Sequence, residues 1–273
     1  MTNFPSGLYV VATPIGNLAD LSRRAAEVLN AATLVAAEDT RTTGVLLKSA
    51  GSRAPLVSLT EHNVVARTPR ILEAARTGVT ALVSDAGTPL IADPGARLVE
   101  AAHAGAVPVY AVPGPSAVAA AVSVAGFEGS DFHFLGFLAR KAGARAAQLR
   151  EAAEHASVFV FFESPARLGQ SLKAVAEVLH DPETVVCREL TKVYEEAVRG
   201  RASELASRFA ATRGECTVVV RAPAREVAGE AEVRRYMAEM ARAGARRSAA
   251  AAEAAGRFGL ARSKAYALWP GEG

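Results

Sequence analysis

The chain has 273 residues, 50% of them hydrophobic and 22% charged, with a formal net charge of +3. That length suits two domains and a short appendage, with enough core to need no covalent staple. No apolar run reaches the length of a bilayer span, Cys187 and Cys216 lie far apart, and the five histidines show no metal-type spacing, so no membrane span, disulfide or metal is expected. The first residues lack a basic start and their apolar stretch is broken by Pro14, which predicts a cytoplasmic protein.

Through the first half, short β-rich runs alternate with helical patterns. LYVVAT precedes a predicted helix over 21–29, TLVAAED one over 42–50, PLVSL one over 64–76, TALVSD one over 96–104, and PVYAVP one over 116–124. Such alternation predicts a parallel sheet with helices on its faces, and ligands in these sheets sit beyond the carboxyl ends of the strands. The loops TPIGN, EDTRTT, SDAGTPLIADPG and PGPSA all fall at that edge.

Each loop has a bland reading and a chemical one. Pro14 and Gly16 make either an ordinary turn or one that lets a ligand approach the Ile15 main chain. Asp85 and Asp93 are either turn and capping residues or acceptors for ligand hydroxyls and amines. Asp39 caps the next helix and Arg41 pairs with Glu38, or these groups face a substrate. Ser116 is placed as an N-cap. Four special turns on one edge favour a binding site over four separate structural accidents.

Around 126–137 the alternation breaks and aromatic residues gather, which predicts a domain boundary. Beyond it come a helix over 142–153, the strand SVFVFFE, a helix over 166–179, the strand ETVVCREL, a helix over 202–211 and the strand ECTVVVRAP, a smaller mixed sheet. PAREVAGEAE reads as a linker, followed by helices over 233–241, 248–256 and 262–269. The last two, joined at Gly259, suit a helix-turn-helix or a small helical hairpin. The predicted division is 1–125, 126–222 and 223–273.

Charge gathers in two places. Six basic residues between Arg242 and Lys264 face one acid, Glu253, a net +5 that leaves the rest of the chain at −2. Arg140, Lys141, Arg145 and Arg150 have no acid between them. Each cluster alone is most often a solvated face; together they raise the odds of a nucleic-acid partner. There is no GxGxxG after the first strand and no GxxxxGK[ST], which argues against a dehydrogenase or a kinase.

Taken in order, YVVATPIGNLADLSRRA, AEDTRTT, SDAGTPLIADPG, PGPSA, GFLARK, ESPARL and RELTK resemble the tetrapyrrole methylase superfamily, the class III S-adenosylmethionine methyltransferases. Within it they are most similar to the branch that methylates small-subunit ribosomal RNA, over about 8–222 and more weakly beyond. The resemblance implies an α/β fold of two α/β domains with the cofactor cleft between them, plus a small C-terminal helical segment. It implies S-adenosyl-L-methionine as cofactor and 2′-O-methylation of a cytidine ribose in the decoding region of small-subunit (16S) rRNA, naked or in the assembled subunit. A homodimer is implied too.

The cofactor is expected against Pro14, Ile15 and Gly16, against Asp85, Ala86, Gly87 and Thr88, and against Ser116, Ala117 and Phe162. Glu38, Asp39 and Glu163 are candidate bases, with Arg41, Arg167 and Lys192 as phosphate or ribose contacts; each would serve equally in an interdomain salt bridge. Ala166 and Ala139 stand where the family often has histidine and proline, which speaks against that histidine as an obligatory base. The rival readings are a methyltransferase acting on a tetrapyrrole or other small acceptor, and a non-catalytic RNA-binding module.

Overall fold

The computed structural model describes residues 4–129, 131–223 and 230–270. The chain divides into two compact units, 1–222 and 223–273.

In the first unit, β1 (Gly7–Val11), β2 (Leu34–Ala37), β3 (Leu56–Ser58), β4 (Val79–Val83) and β5 (Val109–Val112) form a sheet in the order β3-β2-β4-β1-β5. Every pairing in it is parallel. β2 and β4 are buried along their whole length, as strands covered on both faces require. The covering helices are α1 (Arg23–Ala31), α2 (Thr40–Ser49), α3 (Val64–Thr77) and α4 (Ala96–Ala104), whereas α5 (Ala117–Ala125), which follows β5, packs on the second sheet. Their predicted positions hold to within two residues at each end. α1 begins two residues late because Ser22 accepts a hydrogen bond from the Ala25 N–H and so sets its start.

The second sheet runs β6-β7-β10-β8-β9, from β6 (Phe132–Phe137), β7 (Val158–Glu163), β8 (Glu183–Arg188), β9 (Glu196–Arg201) and β10 (Cys216–Arg221). β6 is parallel to β7 and the other pairings are antiparallel, the expected mixed sheet. α6 (Ala142–His155), α7 (Pro165–Val178) and α8 (Ala202–Arg208) pack on it through Leu149, Leu168, Leu172 and Leu205. The first of two corrections lies in 126–137, expected as a break, whose second half is strand β6. The other is β9, a strand that sequence patterning did not separate from the loop before it. Ile15, in the loop after β1, and the α5 residues Val118 and Ala121 share a core with Val160, Val185 and Val219, so that loop and α5 pack on the second sheet.

In the second unit, α9 (Glu230–Arg242), α10 (Arg247–Phe258) and α11 (Arg262–Ala267) enclose Val233, Met237, Ala250, Ala254, Phe258 and Leu268. The alanines of α10 allow close helix approach, and Gly259 ends that helix at φ +65. Of the linker expected over 223–232, residues 224–229 lie outside the described residues, and Glu230–Glu232 already belong to α9. No helix among the described residues is long and apolar enough to cross a membrane.

Candidate functional site

SDAGTP, the loop after β4, is the hub of the first-sheet edge. Gly87 and Thr13 exchange backbone hydrogen bonds of 2.8 and 3.1 Å, tying it to the loop after β1. Asp85 Oδ1 accepts from the Asp39 N–H at 2.9 Å, tying it to the loop after β2. Thr88 Oγ1 donates to the Pro115 carbonyl at 3.1 Å, tying it to the loop after β5. Gly87 sits at φ +81, where a Cβ would meet Ile15 Cγ2 at 3.3 Å, so this hub needs glycine.

A cavity of about 390 Å³ opens beside this hub, within the size range of small-molecule sites. The first-sheet loops contribute Ile15, Ala86–Thr88, Ile91–Asp93, Ser116 and Ala117. The second sheet contributes Phe137, Phe162–Pro165, Cys187, Leu190 and Gly214–Thr217. Leu90 and Ala92 on one side, and Glu189 and Thr191 on the other, are non-glycine residues at φ between +52 and +73. Backbone strain of this kind gathers at ligand sites.

Of the residues expected to meet the cofactor, Ile15, Ala86, Gly87, Thr88, Ser116, Ala117 and Phe162 line this cavity. Pro14, Gly16 and Asp85 do not. Gly16 lies under the Lys192 stem, whose Cγ would be 2.5 Å from an added Cβ, and Asp85 is turned to the Asp39 N–H. Ser116 Oγ caps α5 as expected, accepting from the Ala119 N–H at 3.5 Å.

The expected catalytic groups differ in how far they are engaged. Glu163 is fully buried: Oε1 accepts from the Ser164 N–H at 2.8 Å, and Oε2 takes the Ser171 hydroxyl at 2.6 Å and Arg167 at 3.2 Å. Lys192 binds Glu189 at 2.8 Å and Glu215 at 2.9 Å. Burial pulls the Lys192 ammonium down, and those two hydrogen bonds more than reverse it. The expected Arg41 to Glu38 pair does not form. Arg41 instead reaches back to Asp39, whose carboxylate also caps α2, and these hydrogen bonds lower Asp39 to about 2. Nearness decides this, since a side chain at N2 meets the N-cap carboxylate first.

Glu38 accepts no hydrogen bond from the described residues. Burial raises its pKa, and repulsion from Asp85, Asp93, Asp39 and Glu61 adds to the rise. Asp93, on the cavity wall, is also raised by burial, against a Ser84 hydrogen bond that lowers it and with Asp85 repulsion beside it. Cys187 and Cys216 are pushed up by burial to about 12 and about 11 and stay neutral thiols.

Sequence reading left Phe137, Pro165, Cys187, Leu190 and 214–217 out of the site; only GFLARK, ESPARL and RELTK signalled any of them. Of the six basic residues from Arg242 to Lys264, three are engaged within the C-terminal unit. Arg247 donates to the Tyr266 carbonyl at 2.9 Å, Arg262 to the Ser248 carbonyl at 3.3 Å, and Arg257 lies 5.0 Å from the Tyr236 ring centre. Arg242, Arg246 and Lys264 remain exposed.

The family model for Tetrapyrrole (Corrin/Porphyrin) Methylases matches residues 7–206. A "Ribosomal RNA small subunit methyltransferase I" from Thermotoga maritima is 44% identical over 216 residues, 78% of this chain and 97% of that protein. One of the same name from Mycobacterium tuberculosis is 46% identical over 218 residues, 78% of this chain and 76% of that one. Among solved structures, the uroporphyrin-III C-methyltransferase of Thermus thermophilus, complexed with S-adenosyl homocysteine, aligns with a TM-score of 0.59 at 20% identity. It covers 78% of this chain and 96% of that one. A cobalt precorrin-4 methyltransferase aligns with a TM-score of 0.61 at 16% identity, over 78% and 93% of the two chains.

Proposed function

The chain belongs to the tetrapyrrole (corrin/porphyrin) methylase family, and from that premise we propose that it is an S-adenosylmethionine-dependent methyltransferase acting on a cytidine ribose 2′-hydroxyl of small-subunit rRNA. The observation that carries the cofactor assignment is the cavity built on the Gly87 hub, joined to relatives whose printed names state rRNA methylation. The residues present fit the cofactor: an apolar hollow with few polar groups, Gly87 at a conformation that lets a ligand lie on the main chain, and acids for a cation. Ile15, Ala86–Thr88, Ser116, Ala117 and Phe162 would hold it.

When bound, the cofactor supplies a methyl group that its cationic sulfur already makes electrophilic. The protein's part is then to hold the acceptor oxygen in line and exclude water, which can supply much of the acceleration. A raised carboxyl pKa suits a proton acceptor, and Glu38 alone among the candidate bases is free of hydrogen bonds from the described residues. Glu38 does not line the cavity itself but stands next to Asp39, which is tied to the SDAGTP hub, and from there it would take the ribose proton as the oxygen gains its methyl group. Asp39, Arg41, Glu163 and Lys192 act as positioning groups through the pairs they form.

We treat 1–125 and 126–222 as the two domains whose loops wall the cavity. The homodimeric state is taken from the family resemblance, and light scattering after gel filtration tests it. For the activity, the protein is incubated with methyl-labelled S-adenosylmethionine and small subunits from a strain lacking the methylation. Label in 2′-O-methylcytidine after nucleoside digestion supports the proposal; label in a base, or none, overturns it.

A further inference from the structure

We infer that Phe137 and the N-terminus of α6 form a nucleotide grip at the mouth of the cavity, with the ring taking an unstacked base of single-stranded RNA and the helix end its phosphate. The inference rests on reading the acceptor as RNA.

Phe137 lines the cavity and yet is 57% exposed. It is held there by design of the strand: the β6 register shifts between Phe134 and Phe137, and Gly136 sits at φ +64. An edge contact with Phe162, 5.7 Å between ring centres at 61°, sets its tilt. The segment that follows is pinned from several directions. Gln148 Oε1 accepts from the Ala139 N–H at 3.1 Å and its Nε2 donates to the Leu135 carbonyl at 3.3 Å. Arg167, already bound to Glu163 on the cavity wall, donates to the Leu138 carbonyl at 2.7 Å. An exposed ring fixed this firmly is a platform.

Directly after it, α6 starts without a side-chain cap, since its N-cap is Lys141. The first backbone N–H to find a partner is that of Arg145, so those of Ala142, Gly143 and Ala144 are left for an outside acceptor. Nothing lies within 4 Å of where a Gly143 Cβ would stand, so the approach is open.

A second observation points the same way. Arg145 is only 4% exposed, its Nε has no hydrogen-bond partner, and it joins no ion pair among the described residues. Its Nη1 reaches the Arg140 carbonyl, just ahead of the helix, at 3.5 Å. A buried cation without a counter-charge is costly, and an anion at this helix end would supply the missing partner. Arg140 and Lys141 stand exposed beside it. An aromatic platform next to a cationic groove is how single-stranded nucleic acid is held.

The test measures a single-stranded oligoribonucleotide and S-adenosylhomocysteine binding separately to each variant of the full chain. Phe137→Leu should weaken the oligoribonucleotide about tenfold and Phe137→Trp restore it, with S-adenosylhomocysteine affinity, read at the same cavity, changing less than the oligoribonucleotide's. Arg140→Ala with Lys141→Ala should reduce the slope of log affinity against log salt by about 1.4. Lys141→Asp is the most discriminating, because an acidic N-cap occupies the free N–H groups. It should raise thermal stability while weakening RNA binding at least about tenfold.

Unchanged RNA affinity in all these variants overturns the grip. So does a loss of S-adenosylhomocysteine affinity that tracks any loss of RNA, which would assign the helix end to the cofactor's carboxylate. A wild-type protein that binds RNA through Phe137 but transfers no methyl group upholds the grip and overturns the activity. One that methylates small subunits with KM unaltered in the variants does the reverse.

Discussion

On the first-sheet side of the cavity, Glu38, Asp85 and Asp93 crowd together. On the second-sheet side, Arg140, Lys141 and Arg145 lie after β6 and at the start of α6, and Arg167 lies at the start of α7. The acidic side is assembled from loops of different strands bridged through SDAGTP, and burial, with repulsion between the acids added to it, raises two of its carboxyls. The basic side comes from two segments, 140–145 and the start of α7, and Arg145 and Arg167 are tied to carbonyls, Arg167 also to Glu163. The contrast separates two tasks. One side suits a cationic small molecule lying on main chain; the other suits a polyanion.

Breaking the basic side at its root should have the largest effect. Glu163→Gln leaves Arg167 without its buried counter-charge, and the expected loss is about 3 kcal/mol in a urea unfolding experiment. A loss below about 1 kcal/mol would mean that the pair does not anchor that side. Gly136→Ala forces a side chain into φ +64 with open space around it, so only backbone strain acts; about 1 kcal/mol is expected, and Gly136→Asn should recover part of it. Lys192→Ala, which releases Glu189 and Glu215 over Gly16, should cost about 1 kcal/mol and less at high salt.

The acidic side gives the smallest effect and a distinct pH signature. A carboxyl raised in the folded state holds its proton more tightly there. It favours folding below its ordinary value of 4.5 and loses that contribution as pH rises through the folded value. Glu38→Gln should therefore melt slightly higher than wild type at pH 7, with the gap closing by pH 4. Asp39 runs the other way, its stabilisation present above its ordinary 3.8 and lost as pH falls toward about 2.

The parallel half was legible because fully apolar strands and punctuated loops alternate there, and α4 was placed at both ends from its pattern alone. β6 escaped because a bulge at Gly136 breaks its alternation, and β9 because an edge strand reading EAVRGR shows no apolar face. In the site, loop chemistry exposed Ile15, Gly87 and Ser116. Cys187, Leu190 and Thr217 reach the cavity only through strand pairing across β8 and β10, a long-range register that no local pattern encodes. Arg145 read as one more surface charge; its burial depends on how α6 packs.

The assignment of the Gly87 hub to the cofactor is tested most directly by titrating S-adenosylmethionine into wild type and Gly87→Ala side by side. An added methyl group would press on Ile15 at a backbone conformation that disfavours side chains. Affinity at least about tenfold weaker in a variant that still folds is the expected result. Equal affinity would contradict the placement of the cofactor on SDAGTP.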